Sequence, residues 1–289
     1  MKIPSSTASL VTASLIFAGI AVTVVGIGKT KWHAKTNELR ARLDAARRPM
    51  TSETVDFNTL TTLPPPVQRF FRTVLKDGQP IVAGAYVKHK GTFNMSESGE
   101  KWYPFTSDQR VVTQRPGFDW DGRIKIMPGL SVHVHDAYVA GDGILHASLL
   151  GLFTVADMLD KSDVAAGELM RFFAEAAWYP TALLPSQGVR WDAVDEKSAK
   201  ATLEDGDAKL TMLWTFTEAG SIDTVRAEAR GRAVGGKVIP TPWQGRFWNY
   251  TQRLGMSIPL DGEVMWLLPD GPKSYWRGHI DEIVYELAQ

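Results

Sequence analysis

The most constraining feature of the sequence is a two-residue alternation that returns in short runs from Ile81 to the end of the chain. In "DAKLTMLWTF", Asp207–Phe216, Ala208, Leu210, Met212, Trp214 and Phe216 fall on one face, and Lys209, Thr211 and Thr215 on the other. A period of two puts successive side chains on opposite faces of a β-strand, one face buried and one wet. "SAKATLED" before it alternates likewise, and Glu204-Asp205-Gly206-Asp207 between them reads as a hairpin turn. The same reading covers "AYVKHKGTFNM", "DQRVVTQ", "FDWDGRIKIM", "LSVHVHDAYVAG", "GILHASLLG", "IDTVRAEARG", "RFWNYTQ", "GEVMWLL" and "SYWRGHIDEIVYEL". Nine to eleven strands with short links and no alternating helices predict an antiparallel sheet.

One helix interrupts the strands, predicted from Val164 to Trp178 with Asp163 as its cap. Leu169, Phe172, Phe173, Ala176 and Ala177 form its apolar face, and Glu168, Arg171 and Glu175 a narrow polar stripe. Tyr179 precedes Pro180, which disfavours helical geometry there and ends the element. Upstream, "PVQRFFRTVL" begins at Pro66 and gathers Val67, Phe70, Phe71, Val74 and Leu75 on one face, a second helix.

The N-terminus obeys a different rule. From Ala8 to Gly28 the chain carries no charge, and 21 helical residues span roughly 31 Å, about the apolar thickness of a bilayer. The basic run after Gly28, and the absence of a strongly basic start, fit a retained single-pass anchor better than a cleaved signal peptide. Lys29, Lys31, Lys35, Arg40, Arg42, Arg47 and Arg48 come after the span. The positive-inside rule then favours a cytoplasmic body, although a basic helix lying on headgroups, with Trp32 at the interface, suits the same residues.

Charge and composition exclude several classes. The chain is neutral overall, but residues 1–50 hold eight Lys/Arg against two acids, leaving 24 basic and 30 acidic groups in residues 51–289. That body, at 24 − 30 = −6, lacks the basic face a nucleic-acid binder needs. With no cysteine there is no disulfide framework and no thiolate chemistry. No nucleophile elbow, P-loop, dinucleotide-binding glycine pattern or zincin motif is present, so no cofactor is implied.

Several pieces in order, "LPPPVQRFF", "WYPFTSDQ", "PGFDWDGRI", "AEAAWYPTALLP", "TPWQGRFWNY" and "GMSIPLDGEVMWLLP…YWRGHI", resemble a family of bacterial proteins of unknown function that often carry an N-terminal hydrophobic segment. The resemblance covers most of residues 60–287 and transfers no catalytic residue. More loosely, a long antiparallel meander with an intervening helix looks like the lipoprotein-localisation-factor fold. That likeness implies a curved half-barrel with helices across its concave side and an apolar cavity for acyl chains. The expected class is therefore α+β, an N-terminal transmembrane helix followed by a large curved antiparallel sheet with one or two covering helices. The expected divisions are an anchor and basic segment (1–50), a linker (51–65) and a single domain (66–289).

Candidate chemistry is sparse. His133 and His135, at i and i+2 on one strand face, stand roughly 7 Å apart, a spacing that metal sites use. A third ligand would have to come from His89 or His146, and the pair reads more simply as exposed strand histidines. Asp119, Asp121, Arg123 and Lys125 share a face, read as solvated. Glu175 with Arg171 is either a pair at a cavity mouth beside Trp178 or surface decoration; Glu175 is the candidate for an acid. Ten tryptophans make a core or line a pocket for an apolar ligand, and Trp178, Tyr179, Trp191 and Trp214 join Arg171 and Glu175 as candidate ligand contacts. Three functions stay open at this point. The first is a membrane-tethered module binding a lipid or other apolar small molecule. The second is an enzyme on a membrane-associated substrate, using Glu175/Arg171 or His133/His135, and the third is an assembly protein.

Overall fold

A computed structural model describes residues 5–50, 53–159, 162–235 and 237–288, of which 5–22, 159 and 162 are described by their backbone alone. Among the described residues three α-helices, α1 (Ser5–Ala45), α2 (Pro65–Val74) and α3 (Ser162–Glu175), accompany thirteen strands. The first six are β1 (Val82–Asn94), β2 (Trp102–Val112), β3 (Gly117–Met127), β4 (Leu130–Val139), β5 (Asp142–Leu149) and β6 (Phe153–Leu159). After α3 come β7 (Arg190–Ala193), β8 (Ser198–Asp205), β9 (Ala208–Phe216), β10 (Ile222–Val234), β11 (Lys237–Arg253), β12 (Met256–Leu268) and β13 (Gly271–Leu287).

All thirteen form one sheet in the order β6-β5-β4-β3-β2-β1-β13-β12-β11-β10-β9-β8-β7, and every pairing is antiparallel. The predicted hairpin is present, with Gly206 in its turn at a φ of +59° that a side chain resists. Two strands were not predicted. β6 is an edge strand with Phe153 and Val155 outside, and β7 has only four residues, so neither carries the alternation of a half-buried strand.

The sheet is strongly curved, and one element proves it. α3 touches β3, β4 and β5 on one side and β9 and β10 on the other. β5 and β10 are eight steps apart in the strand order, about 38 Å across a flat sheet, whereas a helix is about 10 Å thick. The strands must therefore wrap around α3. Arg115, in the β2–β3 turn, closes the wrap by pairing with Asp205 at 2.5 Å, and the Tyr138 hydroxyl donates to the same carboxylate at 2.9 Å. The main core fills this concave side, with α2 packing Phe70 and Phe71 toward Phe216 and Trp191.

The opposite, convex face corrects the reading of the basic N-terminal segment. Trp32, Thr36, Leu39 and Leu43 form one stripe of α1, all nearly inaccessible, packed on β2, β3 and β4. Burying Trp32, Leu39 and Leu43 is worth on the order of 5 kcal/mol or more, and no headgroup surface is needed to explain the helix. Trp32 is thus a sheet contact and not an interfacial anchor. Residues expected to be linker are packed too, since Val55 and Leu60 belong to the main core. Among the described residues no helix is long and apolar enough to cross a membrane. The span expected over 8–28 falls mainly outside the described side chains.

Candidate functional site

The cover that α1 provides decides the first group of candidates. Asp119 and Asp121 on β3 were expected to be solvated, yet both are fully buried, because the α1 stripe lies across them. Asp121 accepts from the Trp32 indole at 2.9 Å, from Thr36 at 3.2 Å and from Arg123 at 3.1 Å. Asp119 accepts from Arg40 Nε at 3.1 Å. Burial pushes Asp119 up to about 7 against the pull of Arg40. His133 and His135 do share the outward face, but His135 is buried beneath Trp32 and within 2.8 Å of Thr36 Oγ1. Burial depresses both, His135 to about 3. The histidines are helix-docking groups. Among the described residues no group of three or more such side chains is placed to hold a metal ion.

The concave face holds a different cluster, centred on α3. Arg171 Nε donates to Glu175 at 2.7 Å one turn on, and a terminal nitrogen donates to Asp136 on β4. Its guanidinium also lies over the rings of Phe118 and Trp120, at 5.0 and 4.9 Å. Glu175 accepts at its other oxygen from Gln109 of β2 at 2.6 Å, so one carboxylate oxygen holds the helix to the sheet and the other holds Arg171 in place. One turn earlier, Glu168 lies 3.5 Å from Arg230, which covers the ring of Trp243 at 5.2 Å.

Three carboxyl groups thus face two guanidiniums in a buried place. Burial raises Glu168 well above the usual carboxylate range; the charge of Asp136 adds to it and Arg230 opposes it. A proton kept on Glu168 leaves two carboxylates against two guanidiniums and gives Glu168 a hydrogen bond to donate to Asp136. Arg171 is held raised by Glu175 and Asp136 in spite of burial. Glu168, the polar-stripe residue without a role at the sequence level, is therefore the carboxyl of the cluster that burial pushes upward, and Glu175 is a structural tie.

Around this cluster the concave wall is aromatic. Phe105 lies between Trp120 and Trp276, 5.8 and 5.7 Å from them, and Trp178 faces His89, Phe247 and Trp276. Burial and the charge of Arg171 depress His89 to about 3, so it is neutral. Four polar atoms here have no protein partner: His89 Nε2, Gln109 Oε1, Trp120 Nε1 and Trp178 Nε1. They belong together, since Gln109 pairs across the strands with Trp120, His89 with Ser107 two residues before Gln109, and Trp178 lies three residues beyond Glu175.

Of the residues selected from sequence, Arg171, Glu175 and Trp178 meet at this place. Tyr179 is spent on the Phe172 carbonyl at 2.7 Å. Trp191 donates to the Leu183 carbonyl at 3.0 Å and packs with Trp214, which meets Phe173; these two are core. Sequence reasoning missed Gln109, Asp136 and Arg230, and considered His89 only as a third metal ligand. One signal was readable: the triplet Trp-x-Gly occurs at 120–122, 243–245 and 276–278. In the first and last, an ideal Cβ on the glycine would sit inside the indole of the tryptophan two residues earlier, and at Gly245 it would reach the Trp243 ring at 3.4 Å. Each glycine gives its tryptophan a flat bed along the strand.

The sequence from residue 61 to residue 285 matches the family of unknown function DUF6920. The chain belongs to that family. Every residue of the concave cluster lies within the matched region, whereas the α1 stripe lies outside it. Among solved structures the chain is similar to a LolA-superfamily protein from Nitrosomonas europaea, at 11% identity and a TM-score of 0.33, over 76% of this chain and 92% of that one. No functionally curated protein matches the sequence.

Proposed function

We propose that this DUF6920 protein is a membrane-tethered binding module that holds an apolar molecule with a neutral, hydrogen-bonding end. The ligand lies against the concave wall beneath α3. The observation that carries this reading is the group of four unpartnered polar atoms, His89 Nε2, Gln109 Oε1, Trp120 Nε1 and Trp178 Nε1, set in an otherwise aromatic wall. A buried polar atom left without a partner costs about 1–3 kcal/mol, so four at one place favour a guest that answers them. Two indole N–H donors and one amide acceptor suit an ester, amide or hydroxyl. They do not call for a charged head, because the arginines already face carboxyl groups.

Side chains fill the concave side, with Trp178 and Tyr179 fully buried. The ligand therefore enters when α3 and the Ala176–Trp178 turn swing outward, and α3 serves as the lid. The uncharged run Ala8–Gly28 supplies the tether, and the basic residues after it favour a cytoplasmic body. The test is native mass spectrometry of the full chain in detergent, with and without added bacterial lipid extract. A retained lipid that is lost in the Gln109→Leu/Trp178→Phe double variant supports the reading. A wild-type chain that retains nothing sinks it.

A further inference from the structure

One corner of the molecule is unusually apolar, and it is the corner where α1 meets the sheet. The β3–β4 and β5–β6 turns are alternate turns of one antiparallel meander and so lie at the same end of it. They adjoin directly, with the Leu150 amide donating to the Ser131 carbonyl at 3.0 Å. Residues 147–156, "ASLLGLFTVA", contain no charge, and residues 126–132, "IMPGLSV", none either. Met127, Phe153 and Val155 are 55–60% exposed here, and Ile27 of α1 is 48% exposed. α1 reaches this corner at Gly28, whose missing Cβ leaves room for the Leu150 carbonyl and the Leu152 side chain. The uncharged run Ala8–Gly28 thus ends against the two apolar turns. Exposed Lys29, Lys31 and Lys125 flank the patch, while the acid Asp157 faces His146 at 3.3 Å.

The geometry points to a lipid bilayer as the occupant of this corner: the β3–β4 and β5–β6 turns, with the strand ends beside them, insert Met127, Phe153 and Val155 among the acyl chains, and the three lysines meet anionic headgroups. Large exposed apolar side chains on neighbouring turns, rimmed by basic residues, are the pattern of an interfacial membrane contact. This inference rests on the tether reading and adds an orientation to it. The rim carrying these turns faces the membrane, and the β11–β12 turn with Leu254, at the opposite end, faces away.

The chain has no cysteine, so single-site labelling is clean. Phe153→Cys, Met127→Cys and Leu254→Cys variants of the full chain, each carrying an environment-sensitive fluorophore, are reconstituted in vesicles of phosphatidylcholine and phosphatidylglycerol and floated on a gradient. The expected result is that a nitroxide on the lipid acyl chain removes at least half the emission at positions 153 and 127, and little at 254. Aqueous iodide is expected to quench only 254. Iodide quenching at 153 and 127 as strong as at 254 overturns the inference while leaving the tether standing. Protection of 153 and 127 from both quenchers also overturns it, in favour of a second copy on the exposed edge strand β6. A chain that does not float at all removes the tether and this inference together.

Discussion

The indole of Trp32 lies flat on the imidazole of His135, with 4.0 Å between ring centroids and 3° between the planes. Through this contact a helix that continues an uncharged N-terminal run becomes part of the folded body. Trp32→Ala is expected to remove about 3–5 kcal/mol from the docking of this segment. The check is limited trypsin digestion under native conditions. Cleavage within Lys29–Arg48 should rise sharply while the circular dichroism of the sheet stays unchanged. Equal protection in wild type and variant would mean that the helix is held by something else.

The Arg171 cluster makes a second prediction. Arg171→Met leaves Glu175 and Asp136 buried without their guanidinium, a loss of about 3–5 kcal/mol in stability. Adding Glu175→Gln should return part of that loss, because an amide needs no counter-charge. Chemical denaturation of the single and double variants measures the coupling, and strictly additive effects would show that the two side chains act independently.

The tryptophan beds predict a third result. Gly122→Ala and Gly278→Ala each place a methyl group where an indole now lies, so the ring must leave its position at a cost of roughly 1–3 kcal/mol. Gly99→Ala, in an open turn whose only close neighbour is Ser96 Oγ at 3.5 Å, should be nearly neutral. Melting temperatures and the near-ultraviolet tryptophan spectrum of all three separate a packing effect from a general intolerance of substitution.

A pH dependence arises from Asp119. Its folded value is raised to about 7 from 3.8, so between those values the folded chain binds a proton that the unfolded chain has lost. Stability from this group is fully present below about pH 4, is lost as pH rises through about 7, and changes no further above that. Asp119→Asn removes that dependence. Relative to wild type, the variant should gain stability from about pH 4 to pH 7 and level off above that, by at most about 4 kcal/mol in all. Parallel melting curves across that range would disprove the raised acid.

Much of the sheet was legible because its strands are half buried, and half-buried strands write the alternation into the sequence. The hairpin at Gly206, the helix over α3 and the shared face of His133 and His135 all come from local periodicity. The burial of Asp119 and Asp121 does not. Their strand carries charges of alternating sign, as a solvated face would, and only the α1 stripe from Trp32 to Leu43 turns that face inward. The concave cluster was half legible for the same reason. Glu168, Arg171 and Glu175 are neighbours on one helix, whereas Gln109, Asp136 and Arg230 reach them from strands far apart in the chain. A sequence records which face a residue occupies, but not what a distant segment lays across that face.

The strand order has a consequence for how the chain is made. β1 and β13 sit side by side near the middle of the sheet, so the first and last strands to leave the ribosome form its central seam. Two local meanders, β1–β6 and β7–β13, can each zip up from neighbouring hairpins as they emerge. The seam that joins them waits for residues 271–287, and until then β1 presents an open edge to whatever is nearby. A chain stopped short of β13 would therefore lose more than one strand. It would be left as two half-sheets connected through α3, with the aromatic wall split down its middle.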